Sequence, residues 1–161
     1  MNQSTLTFRV TMTQLDCLPV AMMIHLGSQR SIPDTLSRFI AWRKTQKLHP
    51  NQYATFNFLF DDPEETPEEA YRFGIATQVP DGFVVDDSMM QSFAIPAGRY
   101  AQLTHTGADV GLTEKIRYLY GNWLMQSGEL LADYPLILKR VKRFPDVPAH
   151  LAQTEIYLPL R

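Results

Sequence analysis

An internal repeat is the sequence feature that most restricts how this chain can fold. The motif His25-x-Gly27 closes one predicted strand, and His105-x-Gly107 closes another. Trp42 follows the first histidine by 17 residues, and Trp123 follows the second by 18. Motifs that recur in one order at nearly equal offsets indicate a duplicated unit rather than a single unduplicated α+β domain.

Each copy has the pattern of a strand, a helix and two further strands. In the first copy, Ser31 and Pro33 are typical of a helix start, and apolar spacing predicts a helix over about 32–47. We predict an α+β fold: a duplicated strand-helix-strand-strand unit with pseudo-twofold symmetry. Two long helices would cover one face of an antiparallel sheet, with a central cleft on the other. The chain is treated as one domain, 1–161, with repeat one at about 8–80, a linker at about 81–92 and repeat two at about 93–161.

Composition argues against a nucleic-acid-binding surface. The 161 residues are 45% hydrophobic and 20% charged, with a formal net charge of −2, whereas such surfaces need a basic field. We therefore expect no direct nucleic-acid contact. The longest basic run, Lys139–Arg143, is interpreted as charge that protects an exposed strand edge. A single cysteine, Cys17, and the lack of a signal-peptide or membrane-spanning pattern favour a cytoplasmic protein without membrane contact.

The sequence offers no constellation typical of a catalytic or metal centre. The four histidines are scattered, and neither metal-ligand spacing nor a glycine-rich phosphate loop is present. Cys17 has no evident base beside it in the sequence. We therefore expect no catalytic residue, metal or cofactor, and a binding protein is favoured over an enzyme.

The expected binding site is a cleft between the two copies. Small molecules bind in concave sites at repeat interfaces, where aromatic side chains surround a few polar groups. An open cleft is expected, and a cleft filled by the chain's own side chains would argue against ligand binding. Part of the candidate set is expected to be ordinary core. The candidate ligand-binding residues are Phe56, Phe58, Tyr118, Trp123, Leu138, Arg140, Glu155 and Tyr157.

The order of motifs resembles the gyrase-inhibitory-protein-like small-molecule-binding family, which also supplies effector-binding domains of many AraC-type and some MerR-type transcription regulators. The resemblance runs from about residue 8 to the C-terminus. It is carried by Leu18-Pro19-Val20-Ala21, Phe60 to Pro67, Ile95 to Tyr100, Tyr134-Pro135, Trp123, Glu155 to Leu160 and the two His-x-Gly motifs.

The resemblance implies the duplicated fold and a pocket for amphipathic, often cationic, compounds, as in multidrug-binding proteins. Family members often carry an acid on the strand after the Tyr-Pro turn. Leu138 stands at that position here, with Lys139 and Arg140 beside it. A neutral or anionic ligand is therefore as reasonable as a cation. Glu155 would restore an acid if it faces inward, but sequence does not determine strand phase.

Three functions follow from the resemblance. The first is the ligand-sensing domain of a transcription regulator, with its DNA-binding domain outside this chain, or a stand-alone homologue. The second is a hydrolase of reactive small molecules, in which Glu155 would activate water. The third is a protein–protein modulator of DNA gyrase, with the acidic segment Asp61–Glu69 as a contact surface.

Overall fold

A computed structural model describes residues 8–143 and 145–161. Each half of the chain contains strands, then a helical segment, then further strands. The strands are β1 (Thr11–Leu15), β2 (Leu18–Leu26), β3 (Thr55–Leu59), β4 (Arg72–Gln78), β5 (Gln91–Ile95), β6 (Gly98–Thr106), β7 (Leu136–Lys142) and β8 (Gln153–Pro159). The first helix is α1 (Ile32–Thr45), and the second consists of α2 (Leu112–Tyr118), a π-helical turn (Leu119–Trp123) and α3 (Leu124–Ser127).

Helix α1 lies where capping and apolar spacing predicted it. Ser31 is its N-cap residue, and Pro33 lies in the first turn, where a missing N–H costs nothing. Phe39 and Trp42 are buried against the sheet, as expected for the apolar stripe of an amphipathic helix. The helix stops two residues before the predicted end, and Lys47 then adopts a positive φ of 58°.

The eight strands form one antiparallel sheet in the order β1-β6-β8-β7-β3-β4-β2-β5. Strand β1 pairs with β6 of the second copy, and β5 pairs with β2 of the first. The register of the β1–β6 ladder continues into the β2–β5 ladder. Leu15 pairs with Gly98 in the first ladder, and Leu18 pairs with Ile95 in the second. The two ends of the sheet are thus joined through two-residue links, 16–17 and 96–97, and the sheet must curl.

The two His-x-Gly motifs have the same local structure. In each motif, the histidine Nε2 lies 2.8 Å from the backbone carbonyl oxygen three residues later in the chain. This residue is Ser28 for His25 and Ala108 for His105. Gly27 and Gly107 have φ values of +124° and +123°. Each glycine N–H donates to the carbonyl of the residue just before the copy's last strand, at 2.9 and 2.8 Å. The predicted duplicated α+β fold is confirmed, while the limits assigned to the repeats stay predictions.

The one-residue difference between the two histidine–tryptophan spacings has a structural cause. In the second helix, the N–H of Leu124 donates to the carbonyl of Leu119, five residues back. Such a π-helical turn accommodates one extra residue without shifting the helix that follows. Trp123 therefore still packs against the sheet, as Trp42 does in the first copy.

Each helix covers an apolar cluster on one face of the sheet, and a third cluster lies on the opposite, concave face.

The interpretation of Lys139–Arg143 as a guarded strand edge is wrong. Strand β7, which holds most of this run, lies between β3 and β8 near the middle of the sheet. Its basic side chains are therefore divided between the two faces.

Among residues 8–143 and 145–161, no helix is long and apolar enough to cross a bilayer.

Candidate functional site

The concave face of the sheet carries an apolar cluster contributed by both copies. Alternation along each strand directs one set of side chains to this face and the other set to the helices. Phe58 and Met22 are completely buried here, although they lie on the face without helices. The buried members are Val20, Met22, Phe56, Phe58, Ala76, Ile95, Tyr100 and Ile137.

Three aromatic rings lie over a fourth, buried ring on this face. Phe58 forms the floor, and its ring centroid lies 6.4 Å from Phe60, 5.6 Å from Phe93 and 6.2 Å from Tyr134. Phe93 and Tyr134 also contact each other, with centroids 5.8 Å apart. The Tyr134 hydroxyl donates to the carbonyl of Ala94 on β5. The three outer rings are partly exposed, so they form a cover over the buried floor.

Gly74 on β4 allows the rings to lie this close to the sheet. A Cβ atom at this position would be 2.7 Å from the Met22 Sδ and 3.0 Å from the Phe58 Cβ. It would also be 3.1 Å from the Phe60 Cε2. Any larger residue would therefore displace part of the aromatic floor.

One carboxylate lies beside this aromatic surface. Tyr157 packs against the cluster, and its hydroxyl donates to Glu155 Oε1 at 3.1 Å. Because the two residues are two apart on β8, Glu155 also faces the concave side. Burial and the Glu155 charge raise the pKa of the Tyr157 hydroxyl. The hydroxyl therefore stays protonated at neutral pH and holds the carboxylate in place.

A cationic side chain and a second tyrosine complete the polar part of the face. Lys139 on β7 is the direct cross-strand partner of Glu155. Tyr100 packs edge-on against Tyr157, with centroids 6.2 Å apart, and its hydroxyl donates to the Pro96 carbonyl at 2.6 Å. Burial raises the pKa of Tyr100 to about 12. The concave face thus combines aromatic rings with Glu155 and Lys139, and Arg72, which is paired with Asp61, lies over the Phe60 ring.

The structure brings together four of the eight predicted ligand-binding residues, which are Phe56, Phe58, Glu155 and Tyr157. Leu138 and Arg140 lie on the opposite face. Leu138 packs in the core beneath the second helix. Arg140 donates to Asn57 Oδ1 at 2.8 Å and to Asp109 Oδ1 at 2.7 Å.

The two predicted residues of the second helix also lie away from the concave face. The Tyr118 ring contacts Phe8, with centroids 5.2 Å apart. Trp123 packs against the core between this helix and the sheet. Their aromatic character serves helix packing in this structure.

Sequence reasoning did not select four aromatics that line or cover the concave face: Phe60, Phe93, Tyr100 and Tyr134. A signal for one of them was present, since Phe60 continues the alternation of Phe56 and Phe58. Tyr134 belongs to the Tyr-Pro turn that marks the family resemblance. Phe93 carried no local signal, because its place depends on the pairing of β5 with β2.

On the concave face, the partly exposed rings of Phe60, Phe93 and Tyr134 cover the buried Phe58. Two surface depressions lie elsewhere, one of about 420 Å³ beside the second helix and one of about 320 Å³ beside His25 and α1. Neither depression lies on the concave face, so the open cleft expected from the sequence is not confirmed.

Within the part of the chain that the structure describes, no group of three or more histidine, cysteine, aspartate or glutamate side chains is arranged to hold a metal ion.

Residues 9–161 match the model of the GyrI-like small molecule binding domain. The chain belongs to this family. The resemblance seen in the sequence is thereby confirmed.

The chain is also similar to two named proteins and one solved structure. The probable transcriptional regulator YgiV of Escherichia coli strain K12 is 30% identical over 158 residues, 98% of this chain and 99% of that protein. DNA gyrase inhibitor 2 of Dickeya dadantii strain 3937 is 30% identical over 79 residues, 48% of each chain. The C-terminal domain of EcmrR has the same fold, with a TM-score of 0.78, 18% identity and coverage of 97% of this chain and 99% of that one.

Proposed function

We propose that this domain binds a small amphipathic, aromatic cation on the concave face, and that it serves as a ligand sensor in transcription regulation. The observation that carries the proposal is Glu155, which is held by the Tyr157 hydroxyl at the edge of an aromatic cluster. A carboxylate beside aromatic rings attracts cations through its charge and through the ring quadrupoles.

Binding against the buried Phe58 requires the outer rings that cover it to move. Phe93 and Tyr134 are partly exposed, and Tyr134 is held to β5 by one hydrogen bond. Aromatic pairs contribute about 0.5–1.5 kcal/mol each beyond their buried area. A ligand with two or more aromatic rings would replace these contacts on Phe58, so the outer rings can be displaced at low net cost.

The division of charge between the faces favours a cation over an anion. Arg140, which had suggested an anionic ligand, lies on the helix side and is paired with Asp109. On the concave strands, Arg72 is paired with Asp61, and Lys139 is the cross-strand partner of Glu155. It has a long flexible side chain that can turn toward solvent, whereas the Glu155 carboxylate is held by Tyr157.

Tetraphenylphosphonium and tetraphenylborate provide a matched test, because they have similar size and opposite charge. We expect the wild-type protein to bind tetraphenylphosphonium more tightly in isothermal titration. Glu155→Gln should weaken that binding about 10-fold, equivalent to about 1.4 kcal/mol, and Lys139→Gln should strengthen it. Glu65→Gln, an exposed change of the same charge, is the control. Tighter borate binding, or an unaffected Glu155→Gln variant, would refute the proposed site.

The regulatory part of the proposal is supported by the YgiV relative, which matches this chain over nearly its whole length. Transcript levels in the source organism, with and without the gene, should respond to tetraphenylphosphonium only when the gene is present. A response that is independent of the gene would contradict this part.

Two alternatives have their own supporting observations. The similarity to DNA gyrase inhibitor 2 over 48% of the chain favours a gyrase modulator, which a purified supercoiling assay would reveal. The position of Glu155 on the concave face keeps a hydrolase in consideration. Turnover of a reactive ester or epoxide that is lost in Glu155→Gln would support it.

A further inference from the structure

The two copies present different side chains at matching positions of the concave face. His25 pairs with Phe73 in the first copy, and His105 pairs with Thr154 in the second. Strands β2 and β4 therefore correspond residue by residue to β6 and β8. The corresponding concave residues are Met22 and Gln102, Ile24 and Thr104, and Gly74 and Glu155. At each of these three positions, the first copy lacks a polar side chain and the second carries one.

The central and flanking strands show the same difference. Lys139 on β7 occupies the place that Phe58 has on β3. Thr13 on β1 occupies the place that Phe93 has on β5. Because both copies use the same strand pairing, formation of the sheet does not require polar residues at these positions. The polar side chains of the second copy are therefore available for another role.

These polar side chains offer hydrogen-bond acceptors that their own contacts do not use up. Gln102 Nε2 donates to Thr104 Oγ1 at 2.9 Å, which leaves the amide oxygen of Gln102 as an acceptor. The Tyr157 hydroxyl donates to Oε1 of Glu155, which leaves the second carboxylate oxygen. Thr104 is the cross-strand partner of Glu155, so these acceptors adjoin each other. Gln102 and Glu155 are half-buried and Thr104 is exposed, so a ligand can reach all three.

Lys139 leaves the carboxylate available to a ligand. It lies opposite Glu155 in the sheet, yet the ion pairs formed within 4.0 Å among the described residues do not include this pair. Lys139 is also the cross-strand partner of Phe56, so its aliphatic stem lies beside the aromatic floor. A lysine stem in this position can lie along apolar surface while its ammonium group stays in water.

We propose that the ligand is an aromatic compound whose cationic group donates N–H hydrogen bonds, such as a primary ammonium or an amidinium group. This ligand class rests on the concave binding face proposed above. The rings would pack against Phe58, and the N–H groups would donate to Glu155 and Gln102. Strand β8 lies two strand spacings from β3, roughly 10 Å, so the ring system should extend about that far from the nitrogen. An aromatic phosphonium supplies the rings and the charge but no donor.

The compound 4-(aminomethyl)biphenyl and its N,N,N-trimethyl analogue test this class. Both carry one positive charge at neutral pH, and only the first has N–H donors. In isothermal titration, the wild-type protein should bind the primary amine about 10-fold more tightly. Gln102→Met should weaken binding of the amine about 3-fold or more and leave binding of the trimethyl analogue unchanged. Gln102→Glu should strengthen binding of the amine.

Gln126→Met is the control, because it makes the same change at an exposed position of α3. It should bind both compounds as the wild type does, and circular dichroism would establish that each variant is folded. An equal loss for both compounds in folded Gln102→Met would overturn the inference, since it would indicate a packing role for Gln102.

The proposed function and this ligand class can fail separately. Equal wild-type affinity for the two biphenyl compounds, with both weakened by Glu155→Gln, would overturn the N–H donor class and leave the proposed function in place. Binding of tetraphenylphosphonium but of neither biphenyl compound would do the same. Binding of all three compounds without dependence on Glu155 would overturn the proposed function as well.

Discussion

At the scale of single residues, the absence of a side chain at Gly74 determines how closely the concave face can pack. Phe58 and Phe60 occupy the space that a Cβ atom would need. Because Met22 and Phe58 are completely buried, they have little room to yield. The aromatic floor and the glycine beneath it thus depend on each other.

Gly74→Ala should therefore lower the free energy of unfolding by about 1–3 kcal/mol, the usual cost of overpacking. Urea denaturation followed by circular dichroism would measure it. Gly121→Ala is the matched control, because a Cβ there meets nothing within 4 Å. In a helix this change should be neutral or stabilise by about 0.5–1 kcal/mol. Equal effects of the two substitutions would contradict the packing account.

At the scale of elements, the second helix differs from the first by one inserted residue. The π-helical turn takes up this residue, so that the apolar positions before and after it still face the sheet. Helix α1 has no such turn, and its residues from Ile32 to Thr45 follow one regular α-helix.

Deletion of Gly121 should convert the π-helical turn to a regular α-helical turn. The free energy of unfolding should change by less than about 1 kcal/mol, because the helical phase on both sides is kept. Deletion of Ala41, an exposed residue in regular α1, should instead rotate Trp42 and Arg43 away from the core by about 100°. We expect that protein to lose cooperative unfolding. A folded Ala41 deletion alongside an unfolded Gly121 deletion would refute this explanation.

At the scale of the whole molecule, the two copies exchange their flanking strands. Strand β1 completes the sheet of the second copy, and β5 completes that of the first. Strands β3 and β7 then join the copies at the centre. Neither copy therefore has a complete sheet alone, and the chain should unfold as one cooperative unit.

Each copy contains one tryptophan, so this can be measured directly. Trp123→Phe leaves only Trp42 as a fluorescent reporter of the first copy, and Trp42→Phe leaves only Trp123 for the second. Each variant's fluorescence transition in urea should coincide with its own circular dichroism transition. Separate midpoints within one variant would show that the copies unfold independently.

The sequence alone predicted the repeat, helix α1 and the family, because these depend on local signals. Caps, glycines that need positive φ and apolar spacing act within a few residues of the chain. The concave positions of Phe56, Phe58, Glu155 and Tyr157 agree with the predicted ligand surface, although ligand contact by these residues remains a proposal.

Only the tertiary structure decided which side of the sheet each strand residue faces and which strands complete the other copy. Leu138 and Arg140 lie one register position from Lys139, and that single step separates the helix side from the concave face. Strand phase depends on long-range pairing, as between β7 and β8, and no local pattern contains it. The doubled motif therefore determined the scaffold, while long-range pairing determined which side chains the concave face presents.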